Sequence, residues 1–232
     1  MRNWRPLGAH SHRPGESAAA GRSAHPARRC LLVGQANVGK TLFLCNFAAS
    51  LGARAIQLFA VTSDGSHAAQ DVPLPRARDI LVNDRPHATL ALQGVQIRLG
   101  RGKTDHSVQL LDSTGLGDRV HPEPAVRAGM AQALRTLREA DAVLHMVDAA
   151  LAGGPDPEAA VGEVDRQIAA FAAAPSPRAG RYAVLANKTD LPPATAGLRR
   201  VRAAFPGQLV IPVSARTGAG FREVRLFVAD RL

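Results

Sequence analysis

The sequence predicts a three-layer α/β domain on a mostly parallel sheet, and three observations carry that prediction. Short apolar runs suited to buried strands alternate with segments of helical spacing along most of the chain. Two neighbouring alternating runs, Val95–Leu99 and Val108–Asp112, are separated only by a turn and pair as an antiparallel hairpin. A glycine loop, Gly34-Gln35-Ala36-Asn37-Val38-Gly39-Lys40-Thr41, fits G-x-x-x-x-G-K-[ST] at every fixed position. In open sheets of this kind ligands sit beyond the carboxyl ends of the strands. Each motif below falls at such an end.

The first strand is read over Arg29–Val33 and the helix after the glycine loop over Lys40–Leu51. Ile56–Val61 is a short strand. Asp64-Gly65, Pro73, Pro75, Asn83-Asp84 and Pro86 then signal turns or a long loop up to residue 94. Gly100–Asp105 is the hairpin turn. Pro124–Ala140 has helical spacing through Val126, Met130, Leu134 and Leu137. Ala142–Asp148 is a buried strand ending in a carboxylate. After the Gly153-Gly154-Pro155 turn, Asp156 caps a helix reaching about Ala174. Tyr182–Asn187 is the next strand, 194–204 a basic helix, Leu209–Ile211 a short strand and Phe221–Leu232 the closing helix.

The 232 residues are 46% hydrophobic, enough for a sizeable core, but only 4% aromatic, so Ala, Leu and Val must fill it. The net charge of +10 invites a polyanion as partner. Half of that excess lies in residues 1–29, where six arginines face the single acid Glu16. Residues 1–27 read as a disordered basic tail. Arginine far outnumbers lysine, a bias that genome composition also produces, and this weakens the charge argument. Cys30 and Cys45 sit in apolar runs and read as small buried hydrophobes in a reducing cytoplasm. No run of eighteen apolar residues exists, so no transmembrane segment is expected.

The backbone N–H groups of the glycine loop and the helix start converge on one spot and favour an anion there. Lys40 would reach the β- and γ-phosphates of a nucleoside triphosphate, and the Thr41 hydroxyl would ligate magnesium. Asp112-Ser113-Thr114-Gly115 follows the hairpin. Its carboxylate can hold magnesium through water, and the Gly115 N–H can contact the γ-phosphate. Asn187-Lys188-Thr189-Asp190 follows a buried strand. A carboxylate there can accept from both the ring N–H and the exocyclic amine of guanine, an edge that adenine lacks. The Lys188 stem can lie along the base plane, and Asn187 can tie this loop to the phosphate loop. In Val213-Ser214-Ala215-Arg216-Thr217-Gly218 the Ala215 N–H can meet the guanine oxygen, though this stretch alone is too plain to interpret. The histidines, His145 included, are scattered without metal spacing. Arg199, Arg200 and Arg202 read as a solvated helix face more readily than as an RNA contact.

G-x-x-x-x-G-K-T, D-x-x-G, N-K-x-D and S-A-[KR] occur here in the order and spacing of the translation-factor-related GTPases. The chain resembles a small bacterial G domain of the Era/TrmE-like group, whose phosphate loop often reads G-x-x-N-x-G-K-[ST]. The resemblance implies a Ras-like P-loop G domain over 28–232, with a mostly parallel six-stranded sheet and one antiparallel edge strand. It implies binding of GTP or GDP with Mg2+, slow GTP hydrolysis and switching between two conformations. The nucleotide contacts it implies are Gly34, Asn37, Val38, Gly39, Lys40, Thr41 and Leu42, then Asp112 and Gly115. On the base side they are Asn187, Lys188, Asp190, Ser214, Ala215 and Arg216. The metal would be held by Thr41, Asp112 and a switch threonine. Thr89 is the choice for that threonine, Thr62 the alternative, and Thr104 lies in the hairpin turn. Leu116 stands where Ras-like members place a water-positioning Gln, and an apolar side chain cannot orient water. The hydrophobic-substituted branch of the family obtains its catalytic group elsewhere, sometimes as K+ held partly by the phosphate-loop Asn. Asn37 is in that place, with a plain loop residue as the equal alternative. Lys40, Asn37 and Gly115 are thus the catalytic candidates.

These readings converge on a GTP-dependent molecular switch of low intrinsic activity. Its target is either ribosomal RNA in ribosome assembly or an effector protein in a protein- or membrane-associated regulatory system. A P-loop ATPase or kinase is disfavoured by Asn187-Lys188-Thr189-Asp190.

Overall fold

The computed structural model describes residues 28–61, 67–81, 93–101, 104–112, 131, 135–173 and 181–231. Six strands form the main sheet: β1 (Arg28–Val33), β4 (Gln93–Arg101), β5 (Thr104–Asp112), β6 (Ala142–Asp148), β7 (Tyr182–Asn187) and β8 (Leu209–Pro212). Their order is β4-β5-β1-β6-β7-β8. Only the edge strand β4 runs antiparallel to its neighbour; β1, β5, β6, β7 and β8 are parallel. A separate antiparallel ribbon pairs β2 (Ala55–Val61) with β3 (His67–Pro73). The helices are α1 (Lys40–Ser50), α2 (Leu74–Leu81), α3 (Ala149–Gly153), α4 (Glu163–Ala173), α5 (Ala194–Ala204) and α6 (Phe221–Arg231).

The central strands are apolar throughout because both faces of the sheet are covered, yet alternation still sorts their side chains. Cys30, Leu32, Leu144, Met146, Ala183 and Leu185 join one core with α1, α2 and α6. Leu31, Val33, Val143, Val147, Val184 and Ala186 join the other with α4, α5 and a helical stretch at 135–139. This is the expected three-layer arrangement. Three of the few aromatic residues gather on the first face. Phe43 stacks on Phe47 at 5.2 Å, and Phe221 meets both edge-on at 5.2 and 5.5 Å. They seat α1, which carries the glycine loop, against α6. Both cysteines are buried and free, and burial pushes the Cys30 thiol up to about 12.

The segment read as turns and loop differs most. It contains β3 and α2, and Pro73 and Pro75 mark element ends, not a loop, while Asp64-Gly65, Asn83-Asp84 and Pro86 lie outside the described residues. Pro73 closes β3, and Pro75 is the second residue of α2, where a missing N–H leaves no helical bond unmade. Val72, Leu74 and Ala77 are buried in the main core, and the Leu74 N–H donates to the Arg54 carbonyl at 3.0 Å. The hairpin strands are also longer than expected. Thr104 pairs with Arg101 and opens β5, so it is a strand residue, not a turn residue.

Asp156 does not cap a long helix either. It precedes a 3-10 turn (Pro157–Ala160) without a side-chain cap bond. The helix starts instead at Glu163, and the Gly162 N–H donates back to Asp165 Oδ2 at 2.9 Å, half of a capping box. Of Pro124–Ala140, residue 131 and residues 135–140 are described, and 131 and 135–139 are helical. No helix among the described residues is long and apolar enough to cross a membrane.

One close contact fixes the loops at the sheet's carboxyl edge. A Cβ on Gly197 of α5 would lie 1.7 Å from the Ala149 carbonyl oxygen, and one on Gly153 would lie 1.8 Å from that of Pro193. Only glycine at both positions lets α3 and α5 touch backbone to backbone. The loop after β6 is thereby locked to the segment that follows Asp190.

Candidate functional site

β1 delivers the chain to Gly34, where a Cβ would sit 2.2 Å from the Met146 carbonyl oxygen, so no larger residue fits. Asn37 takes a left-handed φ of 62°, which asparagine tolerates better than most residues. Gly39 has φ 100° and no room for a side chain, since a Cβ would lie 2.5 Å from Asn187 Nδ2. α1 then starts at Lys40 with no side-chain cap and no acid in its first turn. Its first N–H groups therefore face the loop with their partial positive charge uncompensated by a carboxylate. Val38 is buried and Leu42 packs against the core, so they shape the loop from beneath.

Lys40 is only 7% exposed. Its Nζ donates to the carbonyls of Gly34 (3.1 Å) and Gln35 (2.7 Å), which arches the loop over the ammonium. Burial lowers its pKa to about 8, against the opposing pull of Asp112 and Asp165. β5 runs beside β1, with Asp112 opposite Leu32, and so brings Asp112 under the start of α1. Thr41 Oγ1 donates to Asp112 Oδ2 at 2.6 Å. The other oxygen, Oδ1, is buried and accepts no hydrogen bond. Burial raises the carboxyl to about 6, partly offset by Lys40 and by the Thr41 bond. A buried carboxylate oxygen without a partner beside a hydroxyl is costly when empty and suits a hard cation. Thr41 and Asp112 thus fit Mg2+.

These two values set a pH window. With Asp112 titrating near 6 and Lys40 near 8, both charges are present together only between them. Mg2+-nucleotide affinity is expected to be highest there and to fall by up to about tenfold per pH unit below pH 6. Titrations of nucleotide binding against pH check this, and Asp112→Asn should flatten the acid limb. The empty protein behaves oppositely. Asp112's raised value adds stability that is lost as pH rises through about 6, and Lys40's lowered value adds stability that is lost as pH falls through about 8. The nucleotide-free site is therefore least stabilised at neutral pH.

The second half of the site lies at the ends of β7 and β8. Asn187 Nδ2 donates to the Val38 carbonyl at 2.7 Å, and Asn187 Oδ1 accepts from Ala215 N–H at 2.8 Å. One buried side chain thus joins the phosphate loop, the 187–190 loop and the 213–218 loop. The Ala215 N–H, expected to meet the guanine oxygen, donates to Asn187 Oδ1 in this structure. Asn46 of α1, unnoticed in the sequence, holds the Ala215 carbonyl at 2.6 Å.

Lys188 has φ 67°, and its Nζ reaches Asp148 Oδ2 at 2.6 Å. Asp190 Oδ1 accepts from the buried Ser214 hydroxyl at 2.6 Å, and Oδ2 pairs with Arg216 Nη2 at 2.8 Å. The Ser214 bond leads in holding the Asp190 carboxyl below the usual carboxylate range, with Arg216 adding to it. The carboxylate is therefore ionised and aimed. Gly115 and Leu116, and both switch candidates Thr89 and Thr62, lie outside the described residues.

A buried relay supports the phosphate loop from below. Gln35 Nε2 donates to Asp165 Oδ2 at 2.6 Å, His145 Nε2 lies 2.8 Å from Asp165 Oδ1, and His145 Nδ1 lies 2.7 Å from the Tyr182 hydroxyl. Burial pushes the Asp165 carboxyl up, but the bonds from His145, Gln35 and Gly162 outweigh it and bring it below its ordinary value. Burial raises the Tyr182 phenol. His145 is thus a satisfied core histidine. Among the described residues no group of three or more His, Cys, Asp and Glu is placed to hold a metal. The apolar run around His145 signalled burial, but nothing local pointed to Asp165, which lies on another element.

Fold and loops together define a P-loop nucleoside-triphosphate-binding domain. A protein-family model described as "50S ribosome-binding GTPase" matches residues 74–188. The tRNA modification GTPase MnmE of Symbiobacterium thermophilum is 30% identical over 212 residues, 91% of this chain and 36% of that protein. GTPase Obg of Desulforudis audaxviator is 34% identical over 141 residues, 60% of this chain and 31% of that protein. Among solved structures, Era in complex with MgGDPNP and a 16S ribosomal RNA fragment superimposes with a TM-score of 0.54 at 18% identity. It covers 89% of this chain and 57% of that one. The chain is similar to the small P-loop GTPases of the Era/TrmE-like type. It spans about a third of the length of the curated relatives it matches.

Proposed function

We propose that residues 28–232 form a guanine-nucleotide switch domain that binds GTP and GDP with Mg2+ and hydrolyses GTP slowly. The observation that carries this reading is the Asn187 clamp, which holds the phosphate loop and the Asp190 carboxylate in one rigid arrangement. Lys40 neutralises the β- and γ-phosphates while the loop N–H groups and the start of α1 cradle them. Asp190 accepts from guanine's paired N–H edge, with Ser214 fixing its orientation. When bound through Thr41 and Asp112, Mg2+ supplies charge neutralisation at the β- and γ-phosphate oxygens. Gly115 N–H and Lys40 stabilise charge on the γ-phosphate, and Thr89 completes the GTP state. Leu116 orients no water.

Asn37 then has a second task, holding K+ beside the phosphates from a loop position where its backbone is left-handed. GTP turnover measured in KCl and in NaCl tests the proposal. Turnover should rise about tenfold in KCl and lose that stimulation in Asn37→Ala, with ATP hydrolysed in neither salt. Equal rates in both salts would remove the K+ role; ATP turnover at the GTP rate would remove the guanine reading.

For the target we favour RNA of the ribosome, in the cytoplasm. The family description and the basic composition of residues 1–27, read as a tail, support it. Such binding should weaken steeply with salt and on deleting 1–27. Retention of RNA indifferent to both would favour an effector protein instead. Within the basic helix, Arg200 is a structural residue, since its Nη1 donates to the Ala152 carbonyl at 2.7 Å. Arg199 and Arg202 are exposed and available.

A further inference from the structure

We propose that Asp148 is a positioning residue for base recognition. It pins Lys188 so that the lysine stem already stands as one wall of the base pocket before nucleotide arrives. The proposal rests on the reading that the 187–190 loop takes guanine. Asp148 ends β6 and lies directly opposite Asn187, the last residue of β7, in the parallel register. Its side chain is 12% exposed and divided between two tasks. Oδ1 accepts from Leu151 N–H at 2.9 Å and caps α3; Oδ2 holds Lys188 Nζ at 2.6 Å. The short distance and partial burial set this pair apart from the chain's exposed ion pairs, which solvent screens.

Lys188 needs such an anchor. Its backbone is left-handed at φ 67°, uncommon for a side chain of this length, and the side chain is 33% exposed. A free lysine stem samples many rotamers, and ordering it against a base would weaken binding. Tying the ammonium to Asp148 restricts that freedom in advance. The anchor itself is held at both sides. β6 is buried along its whole length, and the glycine contact between α3 and α5 fixes the turn that Asp148 caps. The pair therefore joins two strand ends that the sheet already sets side by side.

Asp148→Asn isolates the effect, because asparagine keeps the cap at Oδ1 and the side-chain shape while removing the charge that holds Lys188. Lys188→Met keeps the stem and removes the ammonium. Affinity for GDP and competition by inorganic pyrophosphate, which has no base, are measured for each variant. Asp148→Asn should bind GDP about tenfold more weakly while pyrophosphate competes within about twofold of its wild-type affinity. In the Lys188→Met background, Asp148→Asn should change GDP affinity by less than about twofold, since the two residues act as one unit.

Unchanged GDP affinity in Asp148→Asn would overturn the proposal. So would an equal loss of pyrophosphate affinity, which marks a general structural role, or a full tenfold loss in the Lys188→Met background. Asp190→Asn separates the two levels. Retained guanine selectivity there would remove the base reading and this proposal with it. A shift toward xanthine alongside unaltered GDP binding in Asp148→Asn would remove this proposal alone.

Discussion

Lys40→Ala is expected to weaken binding of GTP and GDP by a few hundredfold. The ammonium is buried, donates to two loop carbonyls, and sits where the phosphates would arrive. A charge-assisted hydrogen bond in such a place is worth roughly 1.5–3 kcal/mol, and the lysine would contact two phosphates, so a loss of about 3–4 kcal/mol is expected. The variant should still fold. In the empty protein the lysine's lowered pKa marks it as a burden on the native state at neutral pH, not a support. Calorimetric titration with GDP, alongside a thermal melt of the unliganded variant, separates the two effects. Unaltered affinity would mean that the phosphates sit elsewhere.

Asp190→Asn is expected to lower GTP affinity on the order of a thousandfold and to move preference toward xanthosine triphosphate. The wild-type carboxylate offers two acceptors, each already oriented by a neighbour, Ser214 at one oxygen and Arg216 at the other. Asparagine replaces one acceptor by an N–H donor, which faces the N–H edge of guanine and leaves buried polar groups unpaired. Xanthine carries a carbonyl where guanine has its amine, so the same amide donor becomes a partner. Competition between the two triphosphates for the variant reads this directly, and retained guanine preference would overturn the base assignment.

Local pattern made some of this legible. β6 and β7 are continuous apolar runs bounded by turn residues, and both were read with their observed ends. The phosphate loop, Asp112 and Asn187–Asp190 were legible because each stands at the carboxyl end of a strand, β1, β5 and β7. The ribbon was not. His67–Pro73 contains two alanines, a glutamine and an aspartate, with little β-propensity, and becomes a strand only by pairing with β2. Pro73 and Pro75 look like breakers in sequence, but they occupy the two positions where missing N–H groups cost nothing.

The same limit applies within the site. Asp148 was visible as a carboxylate at a strand end, while its partner Lys188 follows another strand. The bond from Asn46 to the 215 carbonyl, and that from Gln35 to Asp165, span 169 and 130 residues. The motifs mark what meets the ligand; the residues that hold them in place come from elsewhere in the fold.

The central claim is that the pocket between the phosphate loop and Asp190 selects guanine. Equilibrium binding of GDP and of ADP to the unmodified chain, both with Mg2+ near pH 7, tests it most directly. GDP should bind at least about a hundredfold more tightly than ADP. Equal affinity for the two nucleotides would contradict the account.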